Sequence, residues 1–180
     1  MSSQFDITHN VAPGAHLYQF YKSPEDLVRF IIPYLKSGLE QGDACMWLTD
    51  EKDSELIRAN VIENLPDFAC LLGTPQFQIK SAQAWYLKDG IFDEEQSVKN
   101  AIEHMEMIQT LGFKRLRGGG DVGAIPRADW NRVESYEKRI HGLIKGAQIV
   151  ALCAYPILEC ALRETRMVID CHDDVLVGHL

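Results

Sequence analysis

Short apolar or aromatic runs alternate along this chain with amphipathic stretches of about 12–20 residues, and no other feature constrains the fold as much. The runs at 16–21, 44–49, 76–80, 113–117, 147–155 and 175–177 read as strands. The stretches at 50–65, 93–110, 127–145 and 158–170 read as helices, with Val98, Ile102, Met105 and Ile108 as the apolar stripe of the second. A further helix opens at Ser23-Pro24-Glu25-Asp26, with serine as N-cap, proline at the first position and acids in the first turn. It runs through Leu27, Phe30, Ile31, Tyr34 and Leu35 towards Gly38, and Pro33 is expected to kink it. Strand–helix alternation of this kind implies crossover connections. The expected fold is α/β: a three-layer sandwich with a mostly parallel central sheet and helices on both faces. Residues 1–14 read as a flexible lead-in and 15–180 as a single domain, with 85–92 as a loop around Asp89-Gly90.

A chain of 180 residues buries enough surface to fold without staples. Its five cysteines, an odd number without framework or CxxC spacing, argue against a secreted disulfide scaffold. With a polar start and no apolar run long enough for a bilayer, the chain reads as cytoplasmic, without a membrane. The net charge of −8 argues against direct nucleic-acid binding, and Lys114, Arg115 and Arg117 form only a short basic patch.

In open α/β sheets ligands bind beyond the carboxyl ends of the strands. The first such turn, Lys22 to Asp26, has no glycine; Pro24 removes an amide donor, and Glu25 and Asp26 place negative charge where a phosphate would sit. This is a degenerate phosphate loop, and it argues against an ATP site. Gly118-Gly119-Gly120 reads as a connector or as a flexible loop near a ligand. Arg117, at the end of its strand, could meet an anionic ligand or pair with Glu137 or Asp121. Cys153 lies in the most apolar strand, where most cysteines are inert core residues; a reactive thiol would need a nearby histidine (His16, His141 or His172) or a positive charge, and a Cys–His metal or ligand site is the other reading. Trp85 and Tyr86 are candidate pocket aromatics or loop staples. Tyr136 and Glu137 are neighbours on a helix that point to different faces, so at most one lines a given pocket.

The order His16-Leu17-Tyr18, Ser23 to Leu27, Gly38-Leu39, Gly42 to Cys45, Tyr86, Gly90, Phe92-Asp93, Leu116-Arg117, Tyr136-Glu137, Leu152 to Tyr155 and His172 resembles MEDS domains. These are the sensory domains of DcmR-type regulators in methanogens and methylotrophs. The resemblance covers residues 15 to 180. It implies a KaiC/RecA-like core without ATPase motifs, and places the family's noted histidine and cysteine at His16 and Cys153. It also implies recognition of a small hydrocarbon derivative and an output domain or partner protein. One departure stands out: where the family has Gly-Glu and often Trp, this chain has Gly120-Asp121-Val122-Gly123.

The expectation is a non-enzymatic sensory domain binding a small molecule at the strand carboxyl ends through His16, Tyr86, Arg117, Tyr136, Glu137, Cys153, Tyr155 and His172. No cofactor is assigned, and homodimerisation is left open. The alternatives are a residual KaiC-like nucleotide-binding module, or a Cys/His metal or haem site.

Overall fold

A computed structural model describes residues 11–176. Six strands form one parallel sheet: β1 (Ala15–Tyr21), β2 (Ala44–Thr49), β3 (Phe77–Ser81), β6 (Leu116–Asp121), β7 (Ile149–Pro156) and β8 (Asp174–Val175), in the order β3-β2-β6-β7-β1-β8. Between β3 and β6, β4 (Leu87–Lys88) and β5 (Ile91–Phe92) make a small hairpin. The helices are α1 (Pro24–Glu40), α2 (Glu51–Asn64), α3 (Ala82–Tyr86), α4 (Glu94–Thr110), α5 (Val133–Ile144) and α6 (Leu162–Cys171).

Two apolar cores sit on opposite faces of the sheet. On one, Leu27, Ile31 and Leu35 of α1 and Ile57 and Val61 of α2 pack on Trp47, Val150 and Leu152. On the other, α3, α4, α5 and α6 cover Met46, Leu48, Leu116, Ile149, Cys153 and Tyr155. This is the expected three-layer α/β sandwich with a parallel sheet. Period-two alternation assigns every strand residue to a face: His16 and Tyr18 of β1 point to the α5 side, Leu17 to the α1 side.

Local signals explain the elements. Ser23 caps α1, its Oγ accepting from the Asp26 amide at 3.3 Å, and α1 runs unbroken through Pro33. Asp93 caps α4 in the same way. The 85–92 loop is shorter than expected, because α3 and the hairpin use most of it. Its Asp89-Gly90 turn has both φ angles positive, as a tight hairpin requires. The helix expected over 127–145 begins as a 3-10 stretch at Arg127–Arg132, and the last helix starts at Leu162 after a 3-10 turn at Ile157–Glu159. Residues 1–10 of the lead-in and Val177 of the last strand lie outside the described residues, while the Gly14 amide bonds the Ile149 carbonyl at 2.7 Å.

One expectation needs correction: Gly118-Gly119-Gly120 is not a loop but the middle of β6. The sheet passes between crowded neighbours there. A Cβ on Gly119 would strike the Leu152 carbonyl and come within 2.6 Å of the Trp47 ring, and one on Gly120 would lie 2.6 Å from the Tyr86 hydroxyl. Neither a backbone carbonyl nor a fully buried indole can yield. Gly119→Ala is therefore expected to lower stability by about 1–3 kcal/mol. Gly142→Ala, on α5 with open space around the added methyl, is expected to raise it by up to about 1 kcal/mol. Chemical denaturation of the two variants checks both signs.

Candidate functional site

The α5-side face brings five of the expected site residues together. β1 supplies His16, β7 supplies Cys153 and Tyr155, α5 supplies Glu137, and His172 follows the last residue of α6. The register sets this up: His16 pairs with Ala151 across β1 and β7, so its side chain lies on the same face as Cys153, two residues further along β7. The side chains of His16, Glu137 and His172 are completely buried.

Glu137 is the hub. Its Oε1 accepts from the Tyr155 hydroxyl at 2.5 Å. Its Oε2 lies 3.3 Å from His16 Nε2, 3.7 Å from His172 Nε2 and 3.6 Å from Cys153 Sγ, and His16 Nε2 is 3.4 Å from that sulfur. Burial alone would push the Glu137 carboxyl up. The His16 hydrogen bond, the two neighbouring imidazoles and the Tyr155 hydroxyl outweigh it and hold the group below the usual carboxylate range. Burial pushes Cys153 and Tyr155 well above their ordinary values, and the Glu137 charge adds to both. Burial lowers His172 to about 4, against the opposing pull of Glu137. Its Nδ1 is 2.6 Å from the Val168 carbonyl, an acceptor only, so Nδ1 carries a proton.

Beside this cluster lies a cavity of about 80 Å³ between the sheet and helices α3, α4 and α5. Its floor is the glycine run of β6. At Gly118 an added Cβ would find its nearest neighbour, Leu116 Cγ, only at 4.0 Å, so the missing side chain is itself part of the space. Tyr86, Tyr136, Trp85 and His104 form walls. Cys153 is the one member of the cluster that also lines the cavity. Tyr136 lines it and Glu137 does not, although both are buried.

Arg117 does not join them. It is the second residue of β6 and faces α1, where it is wholly buried, with its guanidinium 5.2 Å from the Tyr34 ring and its Nε 3.3 Å from Asp43. Asp43 also takes Arg115 Nε at 2.7 Å. The expected ligand contact is thus a structural ion pair, and with Arg115 it accounts for two of the three residues of the basic patch. Its partner is Asp43, neither Glu137 nor Asp121. The cluster's position also differs from the expectation. His16 is the second residue of β1, so the cluster lies against the sheet face under α5 instead of beyond the strand ends.

Sequence reasoning missed His104. The buried side of α4 is Ser97, Val98, His104 and Ile108, and Ile102 faces solvent. The spacing 97, 101, 104, 108 carried that signal, hidden because two of the four residues are polar.

At the strand ends, Asp121 accepts from the Tyr21 hydroxyl at 2.8 Å and the Gly123 amide at 2.9 Å, and the β1–α1 turn presents the capped start of α1 with Glu25 and Asp26. Burial raises Asp121 from 3.8 to about 6 against those two hydrogen bonds. The folded state therefore holds this proton more tightly than the unfolded chain. The associated stability is full below about pH 4 and is lost as the pH rises through about 6. Asp121→Asn should flatten the pH dependence of the unfolding free energy between about pH 4 and 6 relative to the unmodified chain.

Fold and site together define an α/β domain with a sealed His–Glu–Cys–His cluster and an apolar cavity on one face of a parallel sheet. The model of the MEDS family, the MEthanogen/methylotroph, DcmR Sensory domain, matches residues 15–173, and the chain belongs to that family. The comparison with curated proteins finds no match. Among the described residues no helix is long and apolar enough to cross a membrane.

Proposed function

We propose that this chain is a non-enzymatic sensory domain whose ligand is a small, weakly polar hydrocarbon derivative held in the cavity above Gly118. Membership of a sensory family supports the class of function. The single observation that carries the ligand's character is the cavity: about 80 Å³, with a floor and walls built mostly of apolar and aromatic groups. A dry apolar cavity of roughly 150 Å³ takes up benzene, so this one suits a molecule of only a few non-hydrogen atoms. Cys153 at its edge supplies a polar contact, and the Tyr86 and Tyr136 rings, edge to face at 6.0 Å, both line it.

The cavity touches β2, β6, β7 and helices α3, α4 and α5, so occupancy would change how these helices sit on the sheet. An output domain or partner protein would read that change, and the signal requires the ligand to prefer one of two packings. α6 gives the site a route to the surface: His172 follows it, while Leu162 at its start is 90% exposed.

Thermal unfolding in a panel of short-chain alcohols, thiols and haloalkanes tests this reading. A true ligand at a hundred times its Kd is expected to raise the midpoint by about 5–10 °C. Gly118→Ile, whose Cβ would have its nearest neighbour only at 4.0 Å and whose remaining atoms would occupy the cavity, is expected to abolish the shift while the variant still unfolds cooperatively. A panel without any shift, or a shift that survives in Gly118→Ile, sinks the proposal.

A further inference from the structure

We infer that His16, Glu137, Cys153 and His172 form a four-coordinate site for a borderline divalent transition metal of the zinc class. The inference goes beyond the sensory reading and does not depend on it.

The first support is a mismatch that hydrogen bonding leaves unresolved. The Nδ1–H of His172 is committed to the Val168 carbonyl, which leaves Nε2 of the neutral ring as a bare lone pair. That atom has no hydrogen-bond partner, its side chain is completely buried, and it points at Glu137 Oε2, another acceptor. A proton shared between them would need a shorter contact, because N–H···O bonds have N···O distances of about 2.7–3.2 Å and this one is 3.7 Å. A cation bound to both atoms fits the gap.

The second support is the size of the constellation. Zinc binds imidazole nitrogen and carboxylate oxygen at about 2.0–2.2 Å and thiolate at about 2.3 Å, so neighbouring donors of a tetrahedron lie about 3.3–3.6 Å apart. The separations here are 3.3 Å (His16 to Glu137), 3.4 Å (His16 to Cys153), 3.6 Å (Cys153 to Glu137) and 3.7 Å (His172 to Glu137). All four donor atoms lie within 4.8 Å of one another.

The third is charge. A dication bound to one thiolate, one carboxylate and two neutral imidazoles is neutral as a unit, which answers the cost of a carboxylate buried with no arginine or lysine paired to it among the described residues. The donor mixture of nitrogen, sulfur and oxygen suits zinc-class ions and not calcium or magnesium. The outer contacts are those that orient metal ligands: Val168 holds the His172 ring, and the Tyr155 hydroxyl engages Glu137 Oε1, leaving Oε2 for the metal. Binding releases the Cys153 thiol proton to solvent and changes no oxidation state.

Cobalt titration of the whole chain, after dialysis against a chelator, tests this without any organic ligand. Its failure would therefore leave the thermal-shift test of the sensory reading to stand or fall alone. The expected result is stoichiometric uptake, intense visible bands of a tetrahedral ion and a thiolate-to-cobalt charge-transfer band in the near ultraviolet. That band should vanish in Cys153→Ser and persist in Cys171→Ser, whose sulfur is the nearest rival in sequence to His172. Tyr155→Phe should keep the band and weaken affinity by about 10- to 100-fold. No uptake by the unmodified chain, uptake without the charge-transfer band, or a band that survives Cys153→Ser would overturn the assignment. The first two readings need no variant, so a variant that fails to fold does not rescue it.

Discussion

A carboxylate sealed between a sheet and a helix is the constraint on which the rest of this molecule depends. Glu137 is fully buried, and what offsets its desolvation comes from Tyr155 and Cys153 on β7 and His16 on β1, two strands far apart in sequence, with His172 approaching from a third segment. That satisfaction holds only in one arrangement. If β1 slipped by one residue against β7, His16 would turn to the α1 face and Glu137 would lose a partner. The cluster therefore fixes the register of β1, the seating of α5 and the place where α6 ends. A metal ion at its centre would tie these same elements together by coordination.

The two faces of the sheet divide the work. The α1 side is sealed: Arg117 and Cys45 leave no room for a side chain at Gly38, and the Leu152 carbonyl and Trp47 leave none at Gly119. On the α5 side, glycine at position 118 leaves space that aromatic walls enclose. One glycine run thus serves close packing on one face and a cavity on the other, because successive strand residues point to opposite sides. Cys153 sits where cavity and cluster meet. In the functional reading proposed above, a ligand in the cavity is felt at Cys153, and through it by Glu137 on α5 and by His172 at the end of α6.

Much of this was legible in the residues themselves. Apolar runs spaced by amphipathic stretches implied the parallel three-layer fold, and Ser23-Pro24 marked the start of α1. The gathering of His16, Glu137, Cys153, Tyr155 and His172 was not legible from spacing, since 137 residues separate His16 from Cys153 and only the β1–β7 register joins them; the family resemblance is what put those residues side by side on paper. Two readings failed for physical reasons. Gly118–Gly120 looked like a loop because glycine disfavours strands in general, whereas here crowding by Trp47 at Gly119 and by Leu48 and Tyr86 at Gly120 demands it. Arg117 looked like a ligand contact because it seemed to end a strand. β6 in fact continues four residues further to Asp121, which leaves Arg117 buried against Asp43.

The central claim is that Glu137 and its three donor neighbours form one coordination sphere. X-ray absorption at the zinc edge of the loaded protein tests it most directly. The account predicts three nitrogen or oxygen scatterers at about 2.0–2.2 Å and one sulfur at about 2.3 Å, with the sulfur lost in Cys153→Ser. A shell of five or six light atoms without sulfur, or two sulfurs, would contradict it.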